Sequence, residues 1–327
     1  MGLGIHVSKS TNLTGGKPHK TYFDAIKESV EILDMTSIAF FVIGPMSKTK
    51  LKMDFDKINK YCKDNKISIW NHMSYISVGV WKINKENEKK DTFFIQHVMD
   101  HLEAGAKLGA KGSVLHVPRH PISTITETLE ILSEQEYNGM PKLILETPAS
   151  KPHAELTYET AEKLNKLVDA IVGNKNITIP WTICIDSAHE YAGGVDFSKD
   201  WDKWEKALSK ETRNRINLIH LNGAEGKNFG TGKDIHRIPL SQDDSIWGNL
   251  ISDGFRDRLK KMTREDITNR DLYKELSQRD KTAIKKSSLN TIIQFAKKHN
   301  ISLIMELNTK DFANAKLAMD VINKLLK

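Results

Sequence analysis

The chain has 327 residues, 39% hydrophobic and 28% charged, with 12 histidines, two cysteines and a formal net charge of +7. This balance excludes a fibrous or disordered polymer and allows one large core or two small ones. No apolar run reaches the roughly 18 to 20 residues of a membrane span, and Cys62 and Cys184 are too few for a disulfide framework or a thiolate zinc site.

The start, "MGLGIHVSKS", lacks a charged segment followed by a long apolar one, and His6 stands where a myristoylation signal wants Ser or Thr. An intracellular protein, of cytoplasm or nucleus, is expected. The basic balance favours a polyanionic partner, nucleic acid first.

In chain order, short apolar runs occur at 3–7, 37–43, 67–72, 113–117, 143–147, 182–186, 216–222 and 302–307. Amphipathic segments separate them, among them 24–33, 54–65, 93–109, 157–172 and 291–300. The runs are nearly continuous in apolar residues, as strands are when a parallel sheet is covered on both faces. Eight β/α units in one chain predict a single-domain TIM (β/α)8 barrel over 1–327, with one charged insertion at about 239–288 between strands 7 and 8. The insertion reads as a solvated surface.

Chemistry in such a barrel belongs at the C-terminal ends of the strands and in the loops that follow. His72 closes the third run, His116 and Glu146 lie near the ends of the fourth and fifth, and Asp186 ends the sixth with His189 just beyond. His220 ends the apolar stretch of the seventh, Asp234 and His236 lie in its glycine-rich loop, and Glu306 stands near the end of the eighth. Four carboxylates crowded at one rim would repel one another, and burying them uncompensated would cost several kcal/mol. Divalent cations are the natural compensation. Imidazole and carboxylate without thiolate suit zinc, with manganese or iron as alternatives. The pair His97 and His101 has helical metal-site spacing but precedes the fourth strand, away from the rim, and Cys184 reads as core.

These stretches resemble the endonuclease IV family of apurinic/apyrimidinic endonucleases. "GIHVSKSTNLTGG" is similar to its opening motif, "NHMSY" to its third-strand motif, and "ICIDSAHEYAGG", "HLNGAEGKNFGTGKDIH" and "LIMELN" to three later signatures. The resemblance implies three zinc ions: His72, His116 and Glu146 on one; Glu146, Asp186, His220 and Glu306 on a second; His189, Asp234 and His236 on the third. It implies Glu146 as the bridging catalytic residue and Tyr75 as a contact to distorted double-stranded DNA. The implied reaction is hydrolysis of the phosphodiester 5′ to an abasic site, leaving a 3′-hydroxyl and a 5′-deoxyribose phosphate, by a monomer. Departures fall beside the ligands: Gly223 replaces an aspartate, "HVPRH" a His-Pro-Gly and Ile235 an arginine, "ETPASKP" lacks a glycine motif, and "GPMSK" lacks a duplex-entering arginine. Two other readings use the same residues: a metal-dependent sugar isomerase or epimerase on a related barrel, and a catalytically weakened protein that binds DNA lesions.

Overall fold

The computed structural model describes every residue except 14, 16, 90, 91, 152–157 and 308–310. Thr14 and Gly16 of the opening motif, Pro152 of "ETPASKP", Thr157 at the start of the expected 157–172 helix and Asn308 of "LIMELN" lie outside the described residues.

Seven strands run in order along the first two thirds of the chain: β1 (Leu3–His6), β2 (Ser37–Phe41), β3 (Ser68–His72), β4 (Gly112–His116), β5 (Lys142–Glu146), β6 (Trp181–Asp186) and β7 (Ile216–His220). Then come the two-residue strands β8 (Gly223–Ala224) and β9 (His236–Arg237), and finally β10 (Ser302–Met305). β1 to β7 and β10 close a parallel barrel in the order β1-β10-β7-β6-β5-β4-β3-β2. These are the eight apolar runs, with ends moved by at most two residues. The expected TIM barrel is the observed fold. β8 and β9 form a separate antiparallel ribbon, which period alone does not reveal because two residues carry none.

The barrel interior is a layer of Ala39, Trp70, Val114, Ile144, Cys184, Leu218 and Ile304, one residue from each of seven strands. A much larger cluster fills the space between strands and helices. The barrel is therefore a packed post, and its only freely variable part is the rim. Both cysteines are buried free thiols, and burial pushes each up to about 12.

The segment 239–288 corrects one expectation. It is more than a solvated surface, because Trp247, Phe255, Leu272 and Ile284 are at most 2% exposed and belong to the main core. Its short helices Asp253–Leu259, Leu272–Glu275 and Gln278–Lys286 keep most of their charges outside, with Arg256 and Asp280 buried, and turn sparse apolar residues inward. Asp320 of the last helix fixes the segment by accepting the Leu272 N–H at 2.8 Å while also pairing with Lys316 at 2.6 Å. Widely spaced apolar positions make the buried face hard to see among so many charges.

His97 and His101 lie in the helix Phe93–Leu108, both buried. His101 Nε2 accepts the Ser74 N–H at 3.1 Å, which braces the turn after β3. Among the described residues, no helix is long and apolar enough to cross a membrane.

Candidate metal centre

The barrel brings all nine expected ligands to one end. His72, His116, Glu146, Asp186 and His220 are the last residues of β3, β4, β5, β6 and β7, and Glu306 follows β10 directly. Adjacent strands in register place His116 beside Glu146 and Asp186 beside His220. His189 comes from the first turn after β6, where Asp186 caps the helix Ser187–Ala192 by accepting the N–H groups of Ala188 and His189. His236 is placed by the ribbon, paired with Ala224. In the loop between them, Gly230 and Gly232 take φ of +67° and +70°, a conformation that side chains disfavour.

Distances sort the donors into sets. His72 Nε2, His116 Nε2 and Glu146 Oε2 form a triangle with edges of 3.3, 2.9 and 3.5 Å. For an ion with bonds of roughly 2.0 to 2.1 Å, tetrahedral ligands stand about 3.3 Å apart. A second set surrounds His220 Nδ1, with Glu146 Oε1 at 2.7 Å, Asp186 Oδ2 at 3.7 Å and Glu306 Oε2 at 3.8 Å. In the third, Asp234 Oδ1 lies 3.2 Å from His189 Nε2 and 2.9 Å from His236 Nε2. Asp186 also reaches this set, 3.5 Å from His236 Nε2, so its carboxylate faces two sets just as Glu146 does.

Whether cations fit can be judged from the hydrogen bonds that are missing. Glu146 Oε2, His189 Nε2 and His236 Nε2 are buried and lack an aligned hydrogen bond, although each lies within 3.5 Å of an oppositely charged group. Buried polar atoms are ordinarily paired. Atoms that converge without hydrogen-bond alignment are what a shared cation requires. The other ring nitrogens are satisfied: His72 Nδ1 donates to the Met73 carbonyl at 2.9 Å and His189 Nδ1 to the Thr147 carbonyl at 2.6 Å, which leaves each Nε2 free to ligate. Asn222 steadies two carboxylates, donating to Asp186 at 2.7 Å and to Glu306 at 3.4 Å. Cys184 stands next to Glu146 and His220 in the packed interior layer of the barrel, and the remaining donors are imidazole and carboxylate. That donor set fits zinc.

The electrostatics agree. Burial alone would raise Glu146 and Glu306, yet the neighbouring imidazoles outweigh it and hold both carboxyls well below their usual range. Burial would lower His189, but Asp186 and Asp234 lift it to about 10. His72 and His236 are also raised against burial, by Glu146 and Glu306 for the first and by Asp186 and Asp234 for the second. Without a cation, protons must hold these acids together.

Tyr75 lies on the rim, 45% exposed, with its ring 6.2 Å from His72 and 5.5 Å from His116. Its backbone N–H binds the Pro45 carbonyl, which links the turns after β2 and β3. His6, absent from the expected set, also ends a barrel strand. Its ring packs against Phe41 at 4.7 Å and near His72 at 6.0 Å, and burial drives it down to about 3, so it is a neutral imidazole. The strand-end rule that found the other ligands applies to it equally.

A model of the xylose isomerase-like TIM barrel family matches residues 28–267. The chain belongs to that family. Within the xylose isomerase-like TIM barrels, its curated relatives include a probable AP endonuclease of African swine fever virus, 27% identical over 233 residues, which are 69% of this chain and 71% of the viral one. Another is a probable endonuclease 4 of Mycoplasmopsis agalactiae, 25% identical over 72% of this chain and 80% of the relative. The resemblance to endonuclease IV is thus shared by named relatives. Among solved structures, AsfvAP:AG superposes with a TM-score of 0.76 at 21% identity, covering 100% of this chain and 99% of the other. Endonuclease IV from Thermus thermophilus gives 0.62 at 18% identity, with coverage of 100% and 99%. At such identities these likenesses establish the barrel fold of the family.

Proposed function

We propose that the protein is a zinc-dependent endonuclease of base excision repair that cuts DNA 5′ to an abasic site and leaves a 3′-hydroxyl and a 5′-deoxyribose phosphate. The observation that carries this reading is the joining of three donor sets through two shared carboxylates, Glu146 and Asp186. A sugar isomerase needs one or two cations, and the third set of His189, Asp234 and His236 is surplus to that chemistry. Three bound zinc ions would outweigh the four carboxylates, make water acidic near neutral pH and offset charge on a phosphodiester and its leaving oxygen.

The chain's own residues do the rest. Glu146 turns one oxygen toward His116 and the other toward His220, which fixes the spacing of the first two sets. Asn222 and the Thr147 carbonyl hold the surrounding ligands in one orientation, so little rearrangement is needed when substrate arrives. Met46, Tyr75 and Phe229, three of the large apolar side chains exposed among the described residues, stand in the turns after β2, β3 and β7, on the rim that carries the ligands. Apolar side chains on a basic protein can wedge between base steps, and a nucleotide without a base costs least to extrude. The test is cleavage of a duplex containing one abasic analogue beside the same duplex intact. Cleavage only of the first supports the reading. Binding without cleavage would favour a lesion-binding protein, and neither would remove DNA repair altogether.

A further inference from the structure

The backbone ladder at the base of the loop that carries Asp234 and His236 has two residue pairs, Gly223 with Arg237 and Ala224 with His236, and Arg237 also pairs with Glu225 at 2.8 Å. So short a ribbon has little stability of its own. A carboxylate from outside the ribbon closes it. Asp244, 3% exposed, accepts four backbone N–H groups: Ala224 at 3.2 Å and Ile246 at 2.9 Å on Oδ1, Leu240 at 3.0 Å and Trp247 at 3.1 Å on Oδ2. Ala224 precedes the loop, Leu240 follows it, and Ile246 and Trp247 belong to the next turn, so one side chain ties together three passes of the chain. The Ser245 N–H adds a bond to the Ala224 carbonyl at 2.7 Å.

Two backbone features depend on this knot. Leu240 is fully buried with φ of +69°, a left-handed conformation that a leucine holds only when its surroundings impose it. At Gly223, a Cβ would lie 2.6 Å from Cγ and 2.7 Å from Oδ1 of Asp244. The carboxylate fills the space a side chain at position 223 would take. Glycine at one position and aspartate at the other are therefore complementary.

We infer that Asp244 is a positioning residue of the metal centre: by clasping the base of the loop it fixes Asp234 and His236 against His189, and Gly223 is required to admit it. The inference rests on the proposed reading of Asp234 and His236 as ligands. Asp244 itself touches neither substrate nor cation.

Three variants of the full chain test it: Asp244→Ala, Asp244→Asn, and the exchange Gly223→Asp with Asp244→Ala, which offers a carboxylate to the same N–H groups from the other side. Two readouts are needed, zinc per chain by elemental analysis and amide hydrogen exchange by NMR. In Asp244→Ala, exchange at Ala224, Leu240, Ile246 and Trp247 should quicken at least about tenfold while Ile144 in β5 stays protected. Zinc should fall from about three ions to about two. Asp244→Asn should also lose zinc, because its amide NH2 meets N–H donors where an oxygen is needed. The exchanged pair should recover both readouts.

Full zinc content in Asp244→Asn would overturn the inference, since filling space would then suffice, and so would faster exchange in Asp244→Ala with unchanged zinc. If Asp244→Ala does not fold, the exchanged pair decides. Folded with about three zinc ions, it supports the clasp; unfolded or short of zinc, it overturns it. A wild type that takes up no zinc would bring down the functional reading, and the exchange comparison would still judge the clasp by itself.

Discussion

The Thr147 carbonyl and His189 Nδ1 meet at 2.6 Å, and because a carbonyl only accepts, Nδ1 must carry a proton. A second proton on Nε2 is held up to about 10 by Asp186 and Asp234 against burial. A histidine whose folded pKa is raised contributes stability that is complete below its ordinary 6.5 and is lost as pH rises through about 10. The metal-free protein should therefore lose thermal stability across that window. Zinc must displace the same proton, so its stabilisation should grow over the same range. Melting midpoints of chelator-treated and zinc-loaded protein at several pH values would show the two curves diverging. Parallel curves would mean that His189 does not exchange a proton for a metal.

Glu146 is fully buried and touches both His116 and His220. Glu146→Gln keeps its volume but removes a charge shared by two donor sets. Abasic-site cleavage is expected to drop by at least about 10³-fold, comparable to losing a main electrostatic stabiliser. The far-ultraviolet spectrum should be unchanged. Wild-type turnover in this variant would remove Glu146 from the chemistry.

Asp234 sits on a loop and His236 in the two-residue strand β9 that closes it, whereas His220 ends a barrel strand at 0% exposure. Removing the pair by Asp234→Ala with His236→Ala should leave a folded protein with about two zinc ions in place of about three. His220→Ala should disturb the sets that share Glu146 and lower the melting temperature as well. Equal zinc counts in the wild type and the loop variant would deny the loop a ligand role.

The net charge of +7 predicts steep salt dependence in binding undamaged duplex. Log affinity should fall linearly with log salt, at a slope of roughly −0.9 for each phosphate neutralised. A titration from low to moderate salt measures it, and a flat line would assign the basic surface another purpose.

Much of this was legible because a parallel barrel turns sequence order into spatial order. His72, His116, Glu146, Asp186 and His220 each stand at the end of an apolar run or within two residues of it, so a one-dimensional pattern places them on one rim. Asp234 and His236 could be placed there only as members of the loop that follows the seventh run, since a loop has no period of its own. Asp244 could not be read at all: its partners are backbone N–H groups, and those leave no mark on residue type. His6 was equally legible, since it precedes the terminal valine of the first run just as His116 precedes that of the fourth. The core of segment 239–288 was obscured for a related reason, its apolar residues being scattered singly among charges.

The burial of both native thiols gives the molecule a practical property. Cys62 and Cys184 are at most 1% exposed and so poorly ionised that maleimide reagents will pass them by. A cysteine at Met46, whose side chain is 76% exposed in the turn after β2, would then be the one reactive sulfur. A fluorophore attached there would stand beside Tyr75, where a docking duplex should quench or brighten it, and encounter could be timed apart from any bond cleavage.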